Sequence, residues 1–139
     1  MALISMTPAD LRMGTGTTTS QGIAGETIVP WDFLYLKASD GKYWKGINTT
    51  AAEATIVAVA LTYAAADGEL AIAVINPGVS YLGNASAAWT KGLNYVVGDV
   101  AGQLMLPGDL TAGQFHTLGG IAASTTSLLL YSTNSGLVA

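Results

Sequence analysis

From Ile23 onward the sequence is punctuated by glycine. Asp40-Gly41, Asp67-Gly68, Pro77-Gly78, Ala101-Gly102, Pro107-Gly108 and Ser135-Gly136 separate apolar runs only a few residues long. Short runs bounded by turn residues at this spacing build strands, and a succession of them points to an all-β sandwich or barrel. The clearest unit lies within "YLKASDGKYWKG", residues 35–46. There Phe33 to Lys37 and Lys42 to Lys45 flank an Asp-Gly pair suited to the positive-φ positions of a tight hairpin.

The same grammar returns in "YVVGDVAGQLML", residues 95–106. An offset of 61 (102 − 41) places Gly41 on Gly102, Leu34 on Tyr95, Leu36 on Val97, Tyr43 on Leu104, Lys45 on Leu106 and Val57 on Leu118. Each half then reads as strand, turn, strand and connector. A Gly/Ala-rich strand follows (Val57 to Leu61; Leu118 to Ala122), then a final strand (Glu69 to Ile75; Ser127 to Tyr131). Half of a 139-residue chain is too small to bury a core of its own, so the two pseudo-repeated β units are expected to close a single small β-barrel or β-sandwich. Helical character is confined to the alanine-rich segment 49–70, where Thr50 and Glu53 have capping-box spacing. The β-branched Ile56, Val57 and Val59 and the alternation of Leu70, Ile72 and Val74 favour strands there, leaving one helical turn at Ala51 to Ala54.

Residues 1–22 differ from the rest. "GTGTTTSQG", residues 14–22, is small and polar and has no apolar period. It predicts an extended, mobile N-terminal arm ahead of a β domain spanning 23–139, with Leu3, Ile4, Met6, Leu11 and Met13 as the side chains available to dock on a partner. Charged residues make up only 10% of the chain, far below the usual quarter, and after Lys91 only Asp99 and Asp109 carry charge. Much of the surface is therefore expected to be covered by other chains.

The five bases, Arg12, Lys37, Lys42, Lys45 and Lys91, form no stripe, which argues against direct nucleic-acid binding. The longest apolar stretch, Ile56 to Ala66, falls short of the ~20 residues of a membrane helix, so no span is expected. "MALISMTPADLRM" lacks the basic region and apolar core of a secretory leader, and export by that route is not expected either. With no cysteine, disulfides and thiolate metal sites are excluded.

Reactive chemistry finds little footing. His116 is the only histidine, too few for the usual His-rich metal site or for paired acid and base roles. No Gly-x-Ser-x-Gly elbow marks a nucleophile that His116 and Asp109 might serve, and the nine acids occur singly, mostly beside glycine, proline or aromatic residues, as turn and capping groups do. "GTGTTTSQG" lacks the Gly-Lys-Ser/Thr ending of a phosphate loop. No enzymatic activity, metal or cofactor is expected. The three tryptophans, Trp31, Trp44 and Trp89, are candidates for core packing or for subunit contacts, with sugar stacking on an exposed indole as the alternative.

Taken in order, "AGETIVPWDFLYLKASDGKYWKG", "VAVALTYAAADGELAIAVINPGVSYLG", "WTKGLNYVVGDVAGQLML" and "LGGIAASTTSLLLYSTNSGLV" resemble the bacteriophage capsid cement, or head decoration, proteins over about residues 23–138. Two departures stand out: Ala58 in "VAVAL" where that family tends to place glycine, and Pro30-Trp31 where a Gly-Asp step is common. The resemblance implies a small β-barrel or β-sandwich, typically homotrimeric, made in the host cytoplasm and carried on the exterior of the virion. Its expected partner is the major capsid protein, where capsid subunits of an icosahedral head meet, and its role is to stiffen the shell without catalysis. A tail or baseplate subunit, or a head appendage that binds host surface glycans, is the alternative within the same structural class.

Overall fold

The computed structural model describes residues 11–14, 16, 18–75, 81–84 and 89–138. It is a β-sandwich of two antiparallel sheets. In chain order the strands are β1 (Leu11–Met13), β2 (Thr18–Ile23), β3 (Phe33–Leu36), β4 (Tyr43–Lys45), β5 (Ala58–Ala60), β6 (Glu69–Val74), β7 (Tyr81–Asn84), β8 (Asn94–Val97), β9 (Leu104–Met105), β10 (Phe115–Ala122) and β11 (Ser127–Val138). One short helix, α1 (Ala51–Ala54), follows β4, and a 3-10 turn at Pro107–Asp109 follows β9. The first sheet has the order β2-β6-β5-β3-β4 and the second β1-β7-β11-β10-β8-β9.

These two orders are one order written twice. With β3, β4 and β5 set against β8, β9 and β10 at the offset of 61, the hairpin registers coincide: Leu36↔Tyr43 becomes Val97↔Leu104, and Tyr35↔Trp44 becomes Val96↔Met105. The repeat reaches further than the sequence indicates, because β2 and β7 flank β6 and β11 in the same way, Gly22↔Leu70 matching Gly83↔Ser127. That match sets β6 on β11 at 57 (127 − 70) instead of 61, since the connection across residues 61–68 shrinks to 123–126 in the second half. β1 has no counterpart and is simply an added edge on β7.

The sheets pack through a shared apolar layer. Phe33, Val59 and Ala73 of the first meet Leu82, Tyr95, Val97, Leu104, Ala122, Leu128 and Leu130 of the second, with Trp31, Ile56 and Trp89 between them. The first sheet also buries its other side. Leu34, Ala58, Ala60, Leu70 and Ile72 lie against Ala24 and Ile28 of the segment joining β2 to β3. That segment holds its place by backbone bonds, Ala24 N–H to Gly68 O (2.9 Å), Gly25 N–H to Tyr43 O (2.8 Å) and Ile28 N–H to Ala64 O (2.9 Å). A parallel bridge between Ala24 and Tyr43 draws β2 and β4, the two edges of this sheet, together at one end. Among the described residues the sheet nonetheless stops short of a closed barrel, so the sandwich is the architecture.

Two expectations are corrected here. The arm was expected to run to residue 22, with the domain starting at 23; instead Thr18–Ile23 pairs along its full length with β6, and Leu11–Met13 pairs with β7. Backbone pairing holds β2 although its side chains are mostly exposed, so no apolar period announces that strand. Leu3, Ile4 and Met6 lie outside the described residues. At the first hairpin, Asp40 does not take positive φ; only Gly41 does (68°), because the loop closes as a wider turn with Gly41 N–H bonded to Lys37 O at 2.9 Å. In the turn at 67–68 it is Asp67, not Gly68, that has positive φ (65°). The alanine-rich segment folds as expected into one helical turn and then strands. Thr50 caps it, accepting from Glu53 N–H at 3.2 Å and donating to Glu53 Oε1 at 2.8 Å.

The two hairpin glycines, equivalent in the repeat, differ in surroundings. Gly41 (φ 68°) faces open space, whereas a Cβ on Gly102 (φ 84°) would fall 2.6 Å from Asp32 Oδ1. Gly41→Ala is expected to cost about 1–2 kcal/mol, the penalty of the backbone conformation alone. Gly102→Ala adds a steric conflict and is expected to cost about 3 kcal/mol or more. Urea unfolding of the two variants side by side checks the difference.

Candidate functional site

The three tryptophans occupy different worlds. Trp31 is 3% and Trp89 1% exposed, and their rings meet edge to face with centroids 5.4 Å apart, Phe33 lying 6.2 Å from Trp31. Both are wedged between the sheets of one chain, so of the two expectations core packing holds for them and the subunit contact does not. Trp31 reaches it from an unusual backbone. Val29, Pro30, Trp31 and Asp32 form a turn in which Asp32 N–H bonds Val29 O at 3.2 Å and Trp31 has φ 76°. Proline at the second position and positive φ at the third are the marks of a type II turn, whose third position normally calls for glycine. Burying the indole offsets the strain of placing a large side chain there.

Trp44 is half-buried and already engaged. Its Nε1 donates to Asp40 Oδ2 at 3.1 Å, Lys37 Nζ sits 4.5 Å above its ring, and Gly25 backs so closely on it that a Cβ would fall 2.2 Å from Cε2 and Nε1. No bare indole is offered among the three.

The ionic groups cluster on the first half. Asp40 accepts from Lys42 N–H at 2.9 Å, and this bond, helped by Trp44 and by the charges of Lys37 and Lys42, holds its carboxyl below the usual range. Lys42 pairs with Asp67, which raises the ammonium pKa. Burial raises the Tyr35 hydroxyl, with Glu53, Glu26 and Asp40 adding to the effect. Lys45 Nζ lies 4.0 Å from Glu26 Oε1, whose partner oxygen accepts from Lys45 N–H at 3.1 Å. Asp32, 8% exposed, is pushed up to about 6 by burial, against the pull of the Val29 N–H and of Lys45, with Glu26 adding slightly to the rise.

His116 lies half-buried in β10 and Asp109 in the 3-10 turn before it. No group of three or more His, Cys, Asp or Glu residues is arranged to hold a metal among the described residues.

The second sheet turns a different face outward. Tyr81, Leu129, Ile121 and Asn94 pair in one row across β7, β11, β10 and β8. Their strand neighbours Leu82, Leu128, Ala122 and Tyr95 enter the core, so alternation points the row away from it. Tyr81, Leu129 and Ile121 are half-buried, Asn94 is exposed, and no charged residue stands in the row. Leu11 and Met13, expected as docking residues, belong to β1 at the edge of this same sheet. Sequence reasoning missed the row because Tyr81 and Leu129 are far apart in the chain and only the register brings them together.

Comparison with known proteins finds no family model and no curated protein that matches the chain.

Trp89→Ala is expected to cost about 3–5 kcal/mol of stability. Trp44→Ala, which vacates a half-exposed site, is expected to cost about 1 kcal/mol. Thermal and urea unfolding of dilute protein checks the order, which would reverse if Trp89 acted at a subunit interface.

Proposed function

We propose that the chain is a structural protein of a bacteriophage head, a cement that binds the outside of the icosahedral shell and stabilises the lattice of the major capsid protein. The observation that carries this reading is the unequal charging of two halves built on one strand order. Charged side chains of the first half serve turns and ion pairs, while the second sheet presents an uncharged row of Tyr81, Leu129 and Ile121. A surface of that kind gains more from covering by protein than from water. The likeness of the glycine and strand order to head decoration proteins supports the same assignment.

In this reading copies of the chain associate about a three-fold axis, each presenting the row of Tyr81, Leu129 and Ile121 to protein. Several weak contacts per trimer then act together, so occupancy of the shell exceeds what one site would sustain. The glycan-binding alternative draws no support from the tryptophans, two of which are buried while the third is held by Lys37, Asp40 and Gly25.

The test mixes purified protein, its mass measured by sedimentation, with expanded phage shells that lack a decoration protein. A trimer that binds the shells and raises their rupture temperature supports the proposal; a protein that ignores them overturns it. Leu129→Asp, which puts a charge in the middle of the row, is expected to weaken binding to the shells by about tenfold or more, with near-ultraviolet circular dichroism unchanged.

A further inference from the structure

Asp32 stands where the two halves of the chain interlock. The turn between β8 and β9 inserts its Gly102 into the first sheet: Gly102 O accepts from Phe33 N–H at 3.0 Å, and Gly102 N–H donates to Gly46 O at 2.8 Å. The Asp32 carboxyl closes this joint from behind. Its Oδ2 accepts from Val29 N–H at 2.9 Å, and its Oδ1 leaves no room for a Cβ on Gly102.

The groups around it do not neutralise it. Lys45, on β4, is the cation that acts on Asp32, but its ammonium lies beside Glu26, whose own charge opposes ionisation of Asp32. Gly102, Phe33 and Gly46 bring only backbone to the joint. The remaining carboxyl of the inserted turn is Asp99, whose Oδ1 is buried without a hydrogen-bond partner. A charged Asp32 is therefore a buried anion resting on one backbone N–H, while a protonated one avoids the cost of burying a charge.

We propose that Asp32 is a proton-operated latch between the two halves of the sandwich, holding the β8–β9 turn docked on the first sheet when protonated and loosening it when ionised. The turn carries Val100, a large apolar residue that is 39% exposed, so its docking alters the surface this end of the molecule presents.

The sign follows from linkage. The folded chain keeps the proton on Asp32 up to about pH 6, whereas the unfolded chain releases it near 3.8. Stability from this group is complete below that window and falls as pH rises through it.

Hydrogen exchange of the Phe33 and Gly102 amides, corrected for intrinsic rates, tests the latch between pH 4 and 7.5. Protection is expected to fall with rising pH, by up to roughly a hundredfold, the ratio between an acid titrating at about 6 and its ordinary 3.8. Asp32→Asn should abolish that dependence, and Asp99→Asn should leave it in place. A carbon-13 titration of the wild-type carboxyls needs no variant to fold: the Asp32 carboxyl should titrate near 6, and the protection of the two amides should stop falling at that same pH. A midpoint at the ordinary aspartate value, or amides indifferent to it, would overturn the latch.

Discussion

The fold depends on a division of labour between two sheets, neither of which is complete alone. Phe33, Val59 and Ala73 need the side chains of the second sheet to leave water, and Tyr95, Leu104 and Leu128 need those of the first. Trp31 and Trp89 fill the space between them. Because apolar burial scales with area, two small sheets that share one layer reach a stability that each separately would not. The backbone contacts at Gly102 then lock the relation, since a turn of one half completes hydrogen bonds at Phe33 and Gly46 of the other.

That dependence explains where the chain tolerates unfavourable local structure. Trp31 adopts φ 76° and Asp32 buries a carboxyl, both in the turn that leads into β3. Each is costly in isolation. Together they aim the indole into the shared layer while the carboxyl secures the Val29 N–H, so the same short turn serves the core and the joint. The Pro30-Trp31 step that departs from the decoration-protein pattern thus has a structural role of its own.

Much of this was legible before the structure, and the rest failed for physical reasons. The hairpins were readable because glycine at 41 and 102 is demanded by positive φ, which few other residues supply. The helical turn at Ala51 was readable from the cap that Thr50 provides. β2 was not, since Thr18–Ile23 lies along an exposed edge where pairing runs through the backbone and side-chain pattern carries no information. The tryptophans were legible only as core or contact residues, because a large aromatic ring suits a gap between sheets as well as a subunit interface and the sequence does not say which. The candidate face was invisible in one dimension: Tyr81, Leu129 and Ile121 become neighbours only through strand register.

The duplication also clarifies why the sparsely charged second half is informative. Two copies of one strand order face the same requirement of folding, so folding alone gives no reason for them to differ in charge. Yet Glu26, Asp32, Lys37, Asp40, Lys42, Lys45, Glu53, Asp67 and Glu69 belong to the first half, against Lys91, Asp99 and Asp109 from Lys91 onward. On the first half these charges are tied into turns and pairs around Trp44 and Glu26. The second half meets the same geometric demands with few charges, and its sheet turns Tyr81, Leu129 and Ile121 away from the core. Under the proposed function, divergence of that kind within a single polypeptide reflects two environments, one of water and one of protein, acting on the same scaffold.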